Sequence, residues 1–241
     1  MKLKNNMNIF SIFIVVFSII IMITYFYTHY AIIGNKIYKT DVKLLDVYSV
    51  NYAKIIEINK CNNLESMILS NIDESLLSKL KSSDNLRMLT LNQSIIDNAD
   101  SKKIRLFNNI SVLCLCFDSK INFRSFNSES ISSITITLSN SENLDALSKC
   151  ESLRKLNINQ STVSNNYIVV ENMKYIMKDS SVFSLLDSVI DLTIIVDEIQ
   201  DISGILEMDS LETFCVNRDS ISEEYVKLLE DKGITVTYTE N

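Results

Sequence analysis

The chain has 241 residues, 46% of them apolar, which is enough for one packed domain with an additional anchor and too apolar for a disordered chain. Its formal net charge of −7 makes it a poor partner for a phosphate backbone, so no nucleic acid is expected. Only 3 glycines and a single histidine, His29, exclude Gly-rich phosphate loops, Ser-His or Cys-His nucleophile pairs and histidine metal sites.

In chain order, residues 1–8 form a short polar tail carrying Lys2 and Lys4. Residues 5–35 contain no Asp, Glu, Lys or Arg, and residues 9–27 are a 19-residue apolar heart that 31–33 extend. A helix needs about 20 such residues to cross the roughly 30 Å hydrocarbon layer, more than the core of a cleaved signal peptide holds. A transmembrane signal anchor is therefore expected over 9–33, with the lipid bilayer as a partner. Tyr25, Phe26, Tyr27 and Tyr30 sit where aromatic rings meet headgroups. Lysines before and after the span are nearly balanced, and the short basic tail favours N-in/C-out. Residues 34–41 read as a juxtamembrane linker.

From residue 42 the chain repeats itself. LRMLTLNQS at 86–94 returns as LRKLNINQS at 153–161. The frame L-x-x-L-x-L-x-x-polar begins at Val42, Leu64, Leu86, Ile110, Ile131, Leu153, Val189, Leu211 and Gly233, with steps of 22, 22, 24, 21, 22, 36, 22 and 22. Such a constant period marks a solenoid. Its fourth and sixth positions, Leu89 and Leu91 or Leu156 and Ile158, point to one side of a strand. A single turn cannot bury that side, whereas stacked turns can.

This pattern resembles the leucine-rich repeat family, in particular its short bacterial class, over residues 42–241. The resemblance implies an α/β right-handed solenoid with parallel strands on the concave face and short helices or turns on the convex face. The ninth position, Asn or Cys in that family, here holds Val50, Ile72, Ser94, Asp118, Ser139, Ser161, Asp197, Asp219 and Asn241. Residues 42–63 are expected to form an atypical N-terminal cap. The family's concave face commonly holds a partner, and in the sixth turn that face carries Lys155, Asn157 and Asn159.

The 36-residue step carries an insertion over 164–178 that reads as a β-hairpin turning at Glu171-Asn172. Tyr167, Ile168, Val170, Tyr175 and Ile176 give it the apolar and aromatic content that the repeat strands lack, which makes it a second candidate partner site; a flap packed on the solenoid's own side is the other reading. Cys61 and Cys150 hold equivalent places four turns apart, about 19 Å at about 4.8 Å per turn and beyond bridging distance. Cys114 and Cys116 lack further ligands for a metal. Asn92, Asn109 and Asn159 each begin an Asn-x-Ser triplet, two of them simply copies of the repeat. The sequence thus points to a membrane-anchored, non-catalytic protein-interaction module with no catalytic, metal or cofactor residues. A structural or self-associating spacer is the alternative.

Overall fold

The computed structural model describes residues 2–81, 83–163 and 166–239, with 2–13 as backbone alone. A helix runs over Lys2–His29. From Ile14 onward its apolar side chains are exposed on all sides. Among the described residues, no helix is long and apolar enough to cross a membrane. Residues 9–13 of the expected span lie outside the described side chains.

Residues 30–33 do not lengthen the helix. They form the strand Tyr30–Ile33, which pairs antiparallel with Lys36–Lys39 through a turn at Gly34. Ala31 and Ile33 are buried against the helix Tyr52–Ile58. Residues 34–41 are therefore not a free linker: the cap begins at Tyr30, where Ala31 and Ile33 bury their side chains on the domain.

Among the described residues, nine parallel strands stack in chain order into one sheet, from Leu44–Val47 to Thr235–Tyr238. The ladder pairs Leu45 with Met67, Met67 with Leu89, Leu89 with Leu113, Leu113 with Ile134 and Ile134 with Leu156. It continues from Leu156 to Leu192, Phe214 and Val236. These are the fourth positions of the nine repeats, so the irregular steps of 24, 21 and 36 residues leave the register untouched. Leu89, Leu91, Leu113, Leu115, Ile134, Ile136, Leu156 and Ile158 are buried completely. Burying one such side chain contributes about 1.5–3 kcal/mol.

In the first six turns the chain bends after the strand at the eighth repeat position. Ser49, Asn71, Gln93, Phe117, Leu138 and Gln160 all take left-handed φ there. That conformation costs a side-chain-bearing residue about 1–2 kcal/mol. Inter-turn bonds offset the cost: Asn71 N donates to Asn92 O (3.0 Å), Gln93 N to Phe117 O (2.9 Å) and Leu138 N to Asn159 O (3.0 Å).

The residue after the bend turns inward, and serine hydroxyls bind the backbone there. Ser94 Oγ accepts from Ile72 N at 3.3 Å and donates to Asn92 O at 2.8 Å. Ser161 repeats this with Ser139 N (3.3 Å) and Asn159 O (2.8 Å). The ninth-position aspartates do not fill this column. Phe117 and Asp118 are both left-handed, which adds a residue to the bend, so Ser119 takes the buried place and accepts from Ser94 N at 3.3 Å. Asp197 and Asp219 are likewise exposed, while Val196 and Ser220 are buried. Asn241 lies outside the described residues.

Past the bend, short strands build a second sheet: Ile95–Ile96, Lys120–Asn122, Asn140–Glu142 and Thr162–Val163 in parallel, and Glu198–Ile199 further on. The chain returns through 3₁₀ turns such as Leu144–Lys149 and Ser181–Leu185, whose Leu147 and Phe183 reach the core. Phe107, Phe123 and Phe126 fill the space beside the 24-residue step, with edge-to-face centroids 5.2 and 5.3 Å apart.

Next to Ser181–Leu185 packs the short helix Ser203–Glu207. Gly204 N donates to the buried Ser180 Oγ (2.8 Å), and a Cβ on Gly204 would stand 1.9 Å from the Ser180 carbonyl oxygen. Asp201 accepts from Ser180 N (2.7 Å), Ser180 Oγ (2.6 Å) and Ser203 N (3.0 Å). Burial would raise its carboxyl, but these bonds outweigh burial and hold it below the ordinary aspartate value.

Two outcomes follow for the full chain. Gly204→Ala meets a rigid carbonyl and should cost about 2–3 kcal/mol, lowering the melting temperature by about 5–10 °C in a circular-dichroism melt. Asp201 contributes stability above its unfolded-state pKa and loses it as pH falls through its lower folded-state value. Wild type should therefore exceed Asp201→Asn in stability at neutral pH. The gap should close in acid, read by denaturant titration at both pH values.

Candidate functional site

The insertion is a hairpin of the second sheet. Strands Ile168–Glu171 and Lys174–Met177 pair antiparallel, from Ile168 opposite Met177 to Glu171 opposite Lys174. The turn falls at Asn172-Met173, one residue beyond Glu171-Asn172. Both turn residues have positive φ (50° and 64°), as a type I′ turn requires. Asn tolerates this conformation well, whereas Met rarely adopts it. Ser164 and Asn165, the first residues of the insertion, lie outside the described residues.

The base of the hairpin is tied into the solenoid from both sides. Val163 pairs with Ile168, and Ile176 and Met177 pair in parallel with Glu198 and Ile199. Asp197 grips Tyr175 twice: Asp197 N donates to Tyr175 O (2.8 Å), and Asp197 Oδ2 accepts from Tyr175 N (2.7 Å). Lys178 and Glu171 form an ion pair along the ribbon. The ribbon therefore leaves the sheet on fixed strands.

This construction divides the predicted contact residues. Ile168 is fully buried and Ile176 only 7% exposed, so both make core and offer no contact surface. They lie on opposite faces of the ribbon, Ile168 across from Met177 and Ile176 across from Val169, and both are covered where its base joins the neighbouring strands of the second sheet. Tyr167 and Tyr175 are half-buried against the core. Val170 stays exposed at 48%, and Met173, which the sequence reading passed over, is exposed at 91%. Its signal was its place in a two-residue turn, legible only once the turn is placed correctly.

Lys155, Asn157 and Asn159 stand on the first sheet, beyond the Gln160 bend. They share a turn with the hairpin but not a sheet. Asn157 Nδ2 donates to Thr135 Oγ1 of the preceding turn at 3.1 Å, so part of this row is spent on inter-turn bonds.

Beside the ribbon, Val169 and Val170 overhang the outer face of the second sheet. With Lys120, Asn140, Glu142 and Thr162 they line an open groove of about 470 Å³. Lys120 and Glu142 pair at 3.0 Å, and the bond to Glu142 raises the Lys120 ammonium above the ordinary lysine value. Thr162 Oγ1 bonds Asn140 Oδ1 along the same face. A surface of this kind suits a segment with one apolar edge and several hydrogen-bonding groups.

Nothing in the groove resembles reaction machinery. All five cysteines are free, and burial raises the thiols of Cys61, Cys114, Cys116 and Cys150. Among the described residues no group of three His, Cys, Asp or Glu could hold a metal ion.

No protein-family model and no curated protein matches the chain. Among solved structures it is similar to internalin C2 from Listeria monocytogenes, at 17% identity over 84% of this chain and 80% of that one, with a TM-score of 0.47. It is also similar to a second internalin from that organism, at 16% identity over 84% of this chain and 68% of the other, with a TM-score of 0.41.

Proposed function

We propose that the chain is a membrane-anchored leucine-rich repeat protein of the short bacterial class, a non-catalytic interaction module displayed outside the cytoplasmic membrane. The anchor rests on the sequence: the uncharged run 5–35 is long enough to span, and the basic tail before it favours N-in/C-out. The interaction role rests on one observation. A solenoid in unbroken register makes its largest departure from its rhythm, the 36-residue step, to raise a fixed ribbon, and that ribbon holds Val170 and Met173 in water. A methionine held exposed at positive φ costs stability in the free protein, and such costs concentrate at sites where another molecule recovers them. Lys155, Asn157 and Asn159 offer a separate polar contact row on the first sheet. The second reading, a self-associating spacer, places another copy of this chain on the same ribbon.

The turn geometry separates binding from folding. Gly is the natural residue for the Met173 backbone, so Met173→Gly removes the exposed side chain while relaxing the turn. Val170→Thr keeps strand propensity. The double variant should melt no lower than wild type. Crosslinking of intact cells through the exposed amine of Lys174 should give a discrete adduct that the double variant weakens about tenfold, the effect of about 1.4 kcal/mol. A heteromeric adduct supports the interaction module, and an adduct of two copies supports the spacer. An adduct indifferent to both substitutions removes the ribbon from the reading. Protease treatment of the same cells should digest residues 42–241, and survival of that domain would overturn the topology.

A further inference from the structure

The helix Lys2–His29 passes directly into the cap hairpin, with no free linker between them. Thr40 N, just past the second strand, donates back to His29 O at 2.9 Å. The Lys60 ammonium of the cap sits 4.1 Å above the Tyr27 ring. Helix end and cap therefore hold a fixed relation.

The hairpin has two faces of opposite character. Ala31 and Ile33 face the domain and are buried. Ile32 and Ile37 face away, paired directly across the two strands, and remain 50% and 61% exposed. Tyr30 and Lys39 are the next pair on that outer face. Ile37 also joins Met22, Ile23, Phe26 and Tyr30 in lining an apolar groove of about 650 Å³ between hairpin and helix. The outer face is thus a continuation of the helix's apolar surface.

The charges around it are suited to lipid. Lys36 and Lys39 are exposed along the hairpin, and the exposed Lys43 after it is paired with Glu65 (2.7 Å). Asp41 is the exposed carboxylate nearest in sequence. Glu57 is engaged: it accepts from Ile32 N (2.8 Å) and pairs with Lys60 (2.7 Å). That same bond to Ile32 N occupies a donor on the outer strand edge, which disfavours strand pairing with a peptide or a second copy. What stays open is the side-chain face: two isoleucines, a tyrosine and a lysine at the end of an apolar helix, the composition of a bilayer interface.

We infer that the hairpin 30–39 is an interfacial element, with Ile32 and Ile37 entering the boundary between acyl chains and headgroups and Tyr30 and Lys39 reaching the headgroups. The inference rests on the membrane-anchor reading and adds that the solenoid is held at a set tilt on the lipid surface.

The chain contains no tryptophan, so single tryptophans report cleanly. Ile23→Trp, Ile37→Trp and Ile95→Trp all replace exposed side chains. The full chain carrying each would be reconstituted into phosphatidylcholine vesicles with a minority of phosphatidylglycerol, with acyl chains brominated either near the glycerol or near the chain end. Position 37 should show blue-shifted emission and several-fold stronger quenching by the shallow bromines than position 95. Position 23 should be quenched by the deeper ones. Quenching at 23 with position 37 no different from 95 overturns the interfacial hairpin and leaves the anchor standing. A blue shift at 37 without bromine quenching means that protein, a second copy included, covers the pair, and also overturns it. Absence of quenching at 23 refutes the anchor, and this inference with it.

Discussion

Each turn of this molecule must return its chain to the height at which the previous strand left it. One turn offers two or three apolar side chains on a single side, far too few to offset the ordering of some twenty residues. Only the stack buries them, and the stack exists only if the ladder stays in register. The pairing of Leu45, Met67, Leu89, Leu113, Ile134, Leu156, Leu192, Phe214 and Val236 is therefore the condition that every other feature serves.

The bend is where that condition is hardest to meet. The strand must turn sharply without orphaning its backbone, so the eighth position goes left-handed in six consecutive turns and the next inward residue supplies a hydroxyl. Serine suffices because each hydroxyl accepts from the turn before and donates within its own bend. Turns one and two have Val50 and Ile72 instead, where the apolar cap closes the stack. The column thus grades from hydrocarbon at the capped end to hydroxyl in the middle.

This explains what the sequence could and could not disclose. Period and inward positions were legible because burial acts on them alike in every turn: the spacing of Leu, Ile and Val, with Met67 and Phe214 in two turns, locates all nine strands of the ladder. The frame puts Asp118, Asp197 and Asp219 at the ninth position, yet none is buried: Phe117 and Asp118 both turn left-handed and move Ser119 inward, while Val196 and Ser220 fill the inward place in later turns. The hairpin turn was misplaced by one residue. The apolar runs 167–170 and 173–177 bracket Glu171-Asn172, whereas the cross-strand pairs from Ile168–Met177 to Glu171–Lys174 put the turn at Asn172-Met173. The cap hairpin was hidden because residues 30–33 are apolar enough to pass for the end of a helix.

The register also determines where the fold can accept novelty. Leu156 and Leu192 lie side by side in the first sheet although 36 residues separate them, because the extra length leaves through the second sheet and returns to it. An insertion in the first sheet would break the ladder on which the core depends. The second sheet tolerates one because its strands are two or three residues long and its spacing can open to admit an antiparallel pair. The cap hairpin obeys the same logic at the other end: it pairs only with itself and packs through Ala31 and Ile33, leaving the first strand of the ladder in place. In the cap hairpin one face completes the core and the other is free of structural duty; in the insertion the base completes the core and the tip is free. These free surfaces, Val170 and Met173 on one and Ile32 and Ile37 on the other, are where this chain can vary its contacts without disturbing the stack that carries them.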